Sequence, residues 1–327
     1  MHVRFGETPI QQLKLFVEET NMKKRFKFLS VLAFSSIVLG GCYLDLGFIQ
    51  FGEEPVENEQ EKEQGGEQQQ GEQKVYDEEK QAKRIQEYYA NIDSSLSGDD
   101  LLTALKTLNL SMRKSQVGYN AMSTSSSGMF KWTDYDPAYV KFNSDGIPYG
   151  TRILSFYSGK STTTFNREHV WPDSRGGNKV ENDIFMTRPT INEENSSRGN
   201  SAYITGMETE HDGWDPVTAF ASGIGVYESI RGECARIIFY CMTAADGLVL
   251  NDESKNNGNN MGKLTNLIEW ACENPVNDRE KRRNVGGEYK QGNRNAFVDH
   301  PEYACKIWGN HNSATKSACQ KAGYATN

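Results

Sequence analysis

The run Phe165-Asn166-Arg167-Glu168-His169-Val170-Trp171-Pro172 places a carboxylate directly before an imidazole at the end of an apolar, strand-like stretch. Adjacent residues of a strand point to opposite faces, so Glu168 and His169 cannot both grip one ion unless the strand ends or bends there. A division of labour suits them better, with one residue on a metal and the other on a proton. A second block, Glu181-Asn182-Asp183-Ile184 through Asn195-Ser196-Ser197-Arg198-Gly199-Asn200, adds an amide and a guanidinium three residues apart. That spacing puts Asn195 and Arg198 on one face of a short helix. Phosphodiester hydrolysis needs an activated water, neutralised phosphoryl oxygens and help for the leaving oxygen. His169 titrates near working pH and is the candidate general base. Glu168 and Asn195 offer hard oxygens, which favour Mg²⁺, Mn²⁺ or Ca²⁺ over zinc. Arg198 is the candidate phosphate clamp, with an ion pair to Glu181 or Glu194 as its plain alternative. Arg167 and Arg188 are weaker clamps, while Glu181 and Asp183 are expected to brace the site from behind.

Asn166 to Pro172, then Asp183, Pro189, Asn195 and Arg198-Gly199-Asn200, resemble the bacterial endonuclease I family. So do Arg231-Gly232-Glu233-Cys234-Ala235-Arg236 with Phe239-Tyr240, and Gln291 to Pro301, where Ala296 stands in the usual place of Pro. The resemblance covers about residues 88–308. It implies an α+β fold, with a ββα-metal (His-Me finger) core embedded in a mostly helical single domain. It also implies a non-specific, extracytoplasmic, divalent-metal-dependent nuclease leaving 5′-phosphate and 3′-hydroxyl ends, and it makes Asn200 a further site position. Two departures stand out. Met186 occupies a position where the family often has Asn or His to support the catalytic histidine, and a thioether cannot orient an imidazole by hydrogen bonding as an amide can. The loop after His169 is short, leaving only Arg175 to answer for a phosphate-binding arginine carried there in some relatives.

The elements that must position these residues can be read in part. Ser97-Gly98-Asp99-Asp100 caps a helix with a Leu101, Leu105, Leu108 stripe. Residues 118–150 are rich in Ser, Gly, Asp and Tyr and read as irregular. Ile153 to Tyr157 is a strand candidate. Arg175-Gly176-Gly177-Asn178 turns the chain, Asp183 to Met186 is expected as the second strand, and Pro189 begins the segment carrying Asn195 and Arg198. Residues 232–244 read as a helix with Cys234, Ile237, Ile238 and Cys241 on one face, and Leu264, Leu267, Ile268 and Ala271 mark another. Trp171 and Tyr157 read as core, His211 and His300 as structural. The run Arg279-Glu280-Lys281-Arg282-Arg283 is equally a backbone contact for nucleic acid or a solvated helix face.

At 327 residues, 36% hydrophobic, with mean hydropathy −0.69, the chain holds ample core beside a very polar portion. Gly52 to Lys80 carries eleven Asp and Glu against three Lys, which accounts for the whole formal charge of −8. The overall acidity therefore says little about what the rest binds. Lys23-Lys24-Arg25-Phe26-Lys27, the short apolar run from Phe28 to Leu39 and Leu39-Gly40-Gly41-Cys42 resemble a lipoprotein signal, with lipid carried on the Cys42 thiol. Three segments are expected: 1–41, an upstream extension and signal peptide; 42–83, a disordered Glu/Gln-rich tether; and 84–327, the catalytic domain. With Cys42 lipidated, five cysteines remain. Cys234 and Cys241, two helical turns or ~10 Å apart, are core thiols, and Cys305 with Cys319 is the expected disulfide. The expected protein is a monomeric, lipid-anchored nuclease acting on DNA or RNA through the phosphate backbone, without organic cofactor. The alternatives are a nucleic-acid-binding or adhesive lipoprotein on a decayed nuclease scaffold, and a phosphodiesterase for small molecules.

Overall fold

The helix Ile230–Ala244 is the axis of the molecule. All its residues except Arg231 and Met242 are buried, so it is covered on every side rather than on the one face that its apolar spacing suggests. In the computed structural model, which describes residues 75–122, 128–209, 212–253 and 259–326, this helix meets Gly98–Met112 and Leu264–Glu273. Phe239 stacks on Trp308 and packs on Phe297, and Cys234 and Cys241 are core thiols as expected. The described residues fall in one unit, Gln68–Asn327. Residues 1–74, with Cys42, His211 and the tether up to Lys74, lie outside them or, for His211, in one of the gaps.

The sheets are small and the class is α+β. Val140–Phe142 pairs with Pro148–Gly150, Ile153–Leu154 with Ser161–Thr162, and Asn166–His169 with Thr187–Thr190, all antiparallel. A four-stranded sheet runs Gly213–Trp214, Ala202–Tyr203, Asn260–Lys263, Val249–Asn251. The strand foreseen at Ile153 to Tyr157 stops at Leu154, because the backbone from Ser155 onward turns toward a buried glutamate described below.

Four arginines hold the interior together. Arg188 bonds Asp134 (2.8 Å) and Glu233, Arg279 bonds Glu233, Arg283 bonds Asp134, and Arg236 grips Glu280 through two bonds (2.6 and 2.7 Å). All are buried. Such groups are tolerated in an interior only when mutually paired. Burial acts to raise the Glu233 carboxyl, but the guanidinium groups of Arg188 and Arg279 hold it down at about 2. The network ties the helices Ile230–Ala244 and Asp278–Gln291 to the strand Thr187–Thr190.

The expected tether ends before residue 83. Glu78–Tyr88 is a helix, capped by the Asp77 carboxylate on Lys80 N (3.0 Å), and it buries Gln81 and Tyr88. Arg84 pairs with Glu288, and Arg294 donates to Gln81. Polar anchors dock this helix alongside Tyr88 and a partly buried Ile85, so composition disguises it. Cys305 and Cys319 form the expected disulfide, and the Cys272 thiol lies 3.5 Å from the Cys305 sulfur. Among the described residues no helix is long and apolar enough to cross a membrane.

Candidate active site

The hairpin register is Asn166↔Thr190, Arg167↔Pro189, Glu168↔Arg188 and His169↔Thr187. The second strand is therefore Thr187–Thr190, not Asp183 to Met186. Asp183 instead closes a turn, its Oδ1 accepting from Phe185 N (2.9 Å) and its carbonyl from Met186 N (3.1 Å). Pro189 lies within the strand; it has no N–H to give, and its carbonyl accepts from Phe156 N (2.8 Å). The first strand ends at His169, where Trp171 Nε1 bonds Arg175 O (2.7 Å) and the chain doubles back on itself. Gly177 makes that return possible, since a Cβ there would sit 1.8 Å from Trp171 O. Because the strand stops, Glu168 and His169 can both border one cavity of about 300 Å³, with Arg167, Asp173, Asn195, Arg198 and Asn200.

The helix Asn192–Arg198 closes the far side. Glu194, fully buried, fixes it by accepting from Ser155 Oγ (2.7 Å), Tyr157 N (3.2 Å) and both the N (3.2 Å) and Oγ of Ser158. The same loop delivers Tyr157, whose hydroxyl donates to Glu168 Oε1 (2.8 Å) and lies 2.7 Å from the Tyr203 hydroxyl. Glu168 is buried rather than a solvated strand end. Burial raises its carboxyl to about 7, against the lowering by Arg198 and Tyr157 and with some help from Glu194. Arg198 Nε stands 3.5 Å from Oε1 without a hydrogen bond of its own. The Asn195 side chain, half-buried at the cavity wall, is not spent on any neighbour among the described residues. A buried carboxylate short of positive charge beside an uncommitted amide oxygen is a donor set that fits a hard divalent cation.

His169 is held in a way the sequence does not reveal. Its ring stacks on Tyr119 at 5.0 Å and 20°. The Arg167 guanidinium lies 3.5 Å from the centre of the same Tyr119 ring, and Arg167 Nη1 donates to Tyr119 O (2.9 Å). Tyr119 is anchored in turn by its N–H on Asn182 Oδ1 (2.8 Å). His169 Nε2 is buried with no hydrogen-bond partner, and Met186 is buried with its sulfur 4.0 Å from Thr187 Oγ1. Among the described residues no backbone carbonyl bonds the imidazole where Met186 cannot; the Tyr119 ring supports it instead. Burial lowers the His169 pKa, Asp173 and Glu181 act to raise it, and Arg167 and Arg198 lower it further. The net direction favours neutral imidazole, the form that accepts a proton. Glu181 and Asp173 lie beside it, with donor atoms of all three within 4.8 Å of one another.

A sequence model described as Endonuclease I matches residues 98–302. The chain belongs to the endonuclease I family. It is 35% identical over 172 residues to an extracellular ribonuclease of Bacillus amyloliquefaciens, and 35% over 173 residues to one of Bacillus subtilis (strain 168). Each alignment covers 46% of this chain and 56% of the relative, so the chain spans about half the length of the curated relatives it matches.

Several expected phosphate contacts of this endonuclease I chain are corrected by burial. Arg198 is buried, and its Nη atoms bond His169 O (3.1 Å), Gly199 O (3.0 Å) and Val170 O (2.7 Å). Its carboxylate neighbour is Glu168, not Glu181 or Glu194. It fixes the strand end and is not a free clamp. Arg188 is sealed in the interior network. Arg175 is spent on Asn200 O, Asn260 O and Asp212. Asp183 accepts from Tyr240 Oη (2.7 Å) and lies 3.4 Å from Arg113, a bracing role away from the cavity. Asn200 is exposed at the cavity rim, and Arg167 remains the arginine with reach into it. His300 is bonded to Glu302 (3.1 Å) and stacked on Tyr303. Tyr119 sits in an irregular stretch without periodicity that gives no sign of its role, and Glu194, a candidate partner of Arg198 in the sequence, instead holds the Ser155–Ser158 loop.

Proposed function

We propose that the protein is a divalent-metal-dependent, sequence-non-specific endonuclease with a ββα-metal core formed by the strands Asn166–His169 and Thr187–Thr190 and the helix Asn192–Arg198. The observation that carries this reading is the buried Glu168 carboxylate beside Asn195 and the His169 imidazole in one cavity. Glu168 and Asn195 would hold the cation, with Mg²⁺ the first choice for an all-oxygen set. When bound, the cation supplies positive charge to the phosphoryl oxygens and to the departing 3′ oxygen. His169 takes a proton from the attacking water at Nδ1, since Nε2 is sealed. The water oxygen bonds to phosphorus as the bond to the 3′ oxygen breaks. That oxygen is protonated from solvent, leaving 5′-phosphate and 3′-hydroxyl ends. Arg167 steadies a non-bridging oxygen, and Tyr119 keeps the imidazole plane aligned.

RNA is the first substrate to test, because both relatives are called extracellular ribonucleases; DNA is the second. Their names also support an extracytoplasmic location, and the residues before Cys42 support lipid anchoring there. The test incubates the purified protein with plasmid DNA and single-stranded RNA, with Mg²⁺ or with EDTA. Chain scission requiring the cation, and falling about 10²–10⁴-fold in His169→Ala, is the expected result. No cation-dependent scission would sink the enzyme reading, and unchanged scission by His169→Ala would sink the mechanism. The rival, a nucleic-acid-binding lipoprotein on a decayed scaffold, draws on the unpartnered His169 Nε2 and is favoured if binding occurs without cleavage.

A further inference from the structure

The basic run Arg279 to Arg283 divides on folding. Arg279 and Arg283 turn inward to Glu233 and Asp134, and Lys281 pairs with Glu78. Arg282 has no ion pair among the described residues and lies 5.9 Å from the centre of the Tyr135 ring. Seven and eight residues on, along the same side of the helix, come Tyr289 and Lys290. Tyr289 is 39% exposed, a level few large apolar side chains reach in this structure. Lys290 Nζ sits 4.1 Å from the centre of Trp132 and 4.4 Å from that of Tyr289. Lys131 Nζ approaches the same indole at 5.4 Å and Tyr149 at 5.6 Å. Trp132 packs against Tyr149 and Tyr289 at 5.0 and 5.2 Å.

Two features separate this cluster from an ordinary solvated face. Neither Lys131 nor Lys290 has a carboxylate partner among the described residues; the nearby acid, Asp145, reaches the Tyr289 hydroxyl at 3.5 Å. The two ammonium groups also crowd each other, for burial and Lys131 together lower the Lys290 pKa. Like charges held together over aromatic rings leave an unanswered demand for an anion. The exposed Tyr289 ring beside Lys290, packed on the Trp132 indole that both lysines approach, offers a flat apolar face. Polyanionic backbone with unpaired bases satisfies both demands at once, whereas a duplex hides its base faces.

We propose that Lys131, Trp132, Tyr149, Arg282, Tyr289 and Lys290 form a binding surface for single-stranded nucleic acid, separate from the catalytic cavity. It rests on the nuclease reading only for the role it gives that surface, which is to hold a strand cut elsewhere. Phe130, next to Lys131, packs edge-on against Phe165 at 5.8 Å, and Phe165 precedes the strand that ends at His169. None of the six residues lines the catalytic cavity, so a strand held here is bound apart from the bond that is cut.

The test uses the full chain carrying His169→Ala, so that a labelled 20-nucleotide single-stranded RNA stays intact while its Kd is measured by fluorescence anisotropy over a salt series. Lys131→Gln with Lys290→Gln is expected to raise Kd about tenfold and to flatten the salt slope by about 1.4, at roughly 0.7 per lost phosphate contact. Tyr289→Ala is expected to raise Kd about tenfold through lost stacking. Duplex RNA of equal length should respond less to Tyr289→Ala. With His169 restored, cleavage of a trinucleotide should be unchanged by these substitutions while KM for the 20-mer rises. No binding of the 20-mer by the parent, a Kd within twofold of the parent in both variants, or an equal Tyr289→Ala effect on duplex overturns the proposal. Failure of the nuclease reading would appear separately, as absent cleavage with binding intact.

Discussion

Among the buried carboxylate–arginine clusters of the described residues, two are joined through one hairpin and are opposites in charge bookkeeping. In the interior network Glu233 is gripped by Arg188 and Arg279 and held down at about 2. At the cavity, Glu168 has one arginine, Arg198, whose Nη atoms serve backbone carbonyls and whose Nε only approaches it; its carboxyl is raised to about 7. The register places Glu168 opposite Arg188 on the paired strands, yet that arginine is committed to Asp134 and Glu233. A carboxylate whose charge is fully answered is scaffold. One whose charge is left short, at the wall of a cavity, is poised for a ligand that brings positive charge.

Removing one partner of the satisfied cluster should cost most. Glu233→Ala leaves two guanidinium groups buried without their anion and is expected to lose about 3–5 kcal/mol of stability, read as a fall in the urea midpoint. An intact midpoint would break the contrast from the scaffold side. Glu168→Gln should do the reverse, abolishing cation-dependent cleavage while leaving the cation-free protein at least as stable as the parent.

The pH dependence should carry opposite signs for the two residues. Glu233 is depressed below its free-chain 4.5, so its contribution is present above that value and is lost as pH falls toward about 2. Glu168 is raised, so the folded state keeps its proton longer than the unfolded chain. In the absence of cation, stability therefore falls as pH rises from about 4.5 to about 7, by on the order of 3 kcal/mol. Glu168→Gln should remove that slope, and saturating Mg²⁺ should shrink it in the parent; thermal unfolding at pH 5, 6, 7 and 8 measures both. A slope that survives in Glu168→Gln would assign it to other groups.

The smallest effect tests the histidine's support. Tyr119→Ala is expected to lower kcat about tenfold with little change in KM, and Tyr119→Phe to restore it, because the stack needs the ring and not the hydroxyl. Equal kcat in Tyr119→Ala would show that the imidazole needs no such support.

The residues that border the cavity were legible in the sequence to the extent that their chemistry is local. Glu168 beside His169, and Asn195 three residues before Arg198, are matters of spacing along one strand and one short helix, and the structure brings all four to one cavity. Met186 could be read as a missing hydrogen bond behind the histidine, and Nε2 is indeed without a partner. The second strand was misplaced by four residues because Asp183 bonds its own backbone two residues on, which competes with extension. The helix Glu78–Tyr88 was hidden because its docking rests on Gln81, Arg84 and Tyr88, whose partners lie some two hundred residues away.

The sequence by itself determined the kind of chemistry: a base, oxygen donors for a hard cation and arginines to meet phosphate, all within a few dozen residues. Only the tertiary structure decided which of those groups are free to act. Arg188, Arg198, Arg175 and Asp183 are the same side chains in either view, and folding spends them on Glu233, on backbone carbonyls and on Tyr240. Whether a charge is answered depends on burial and on partners brought together from distant parts of the chain, such as Tyr119 stacking on His169. Local spacing carries no record of that pairing, because desolvation and pairing belong to the packed interior and not to the chain.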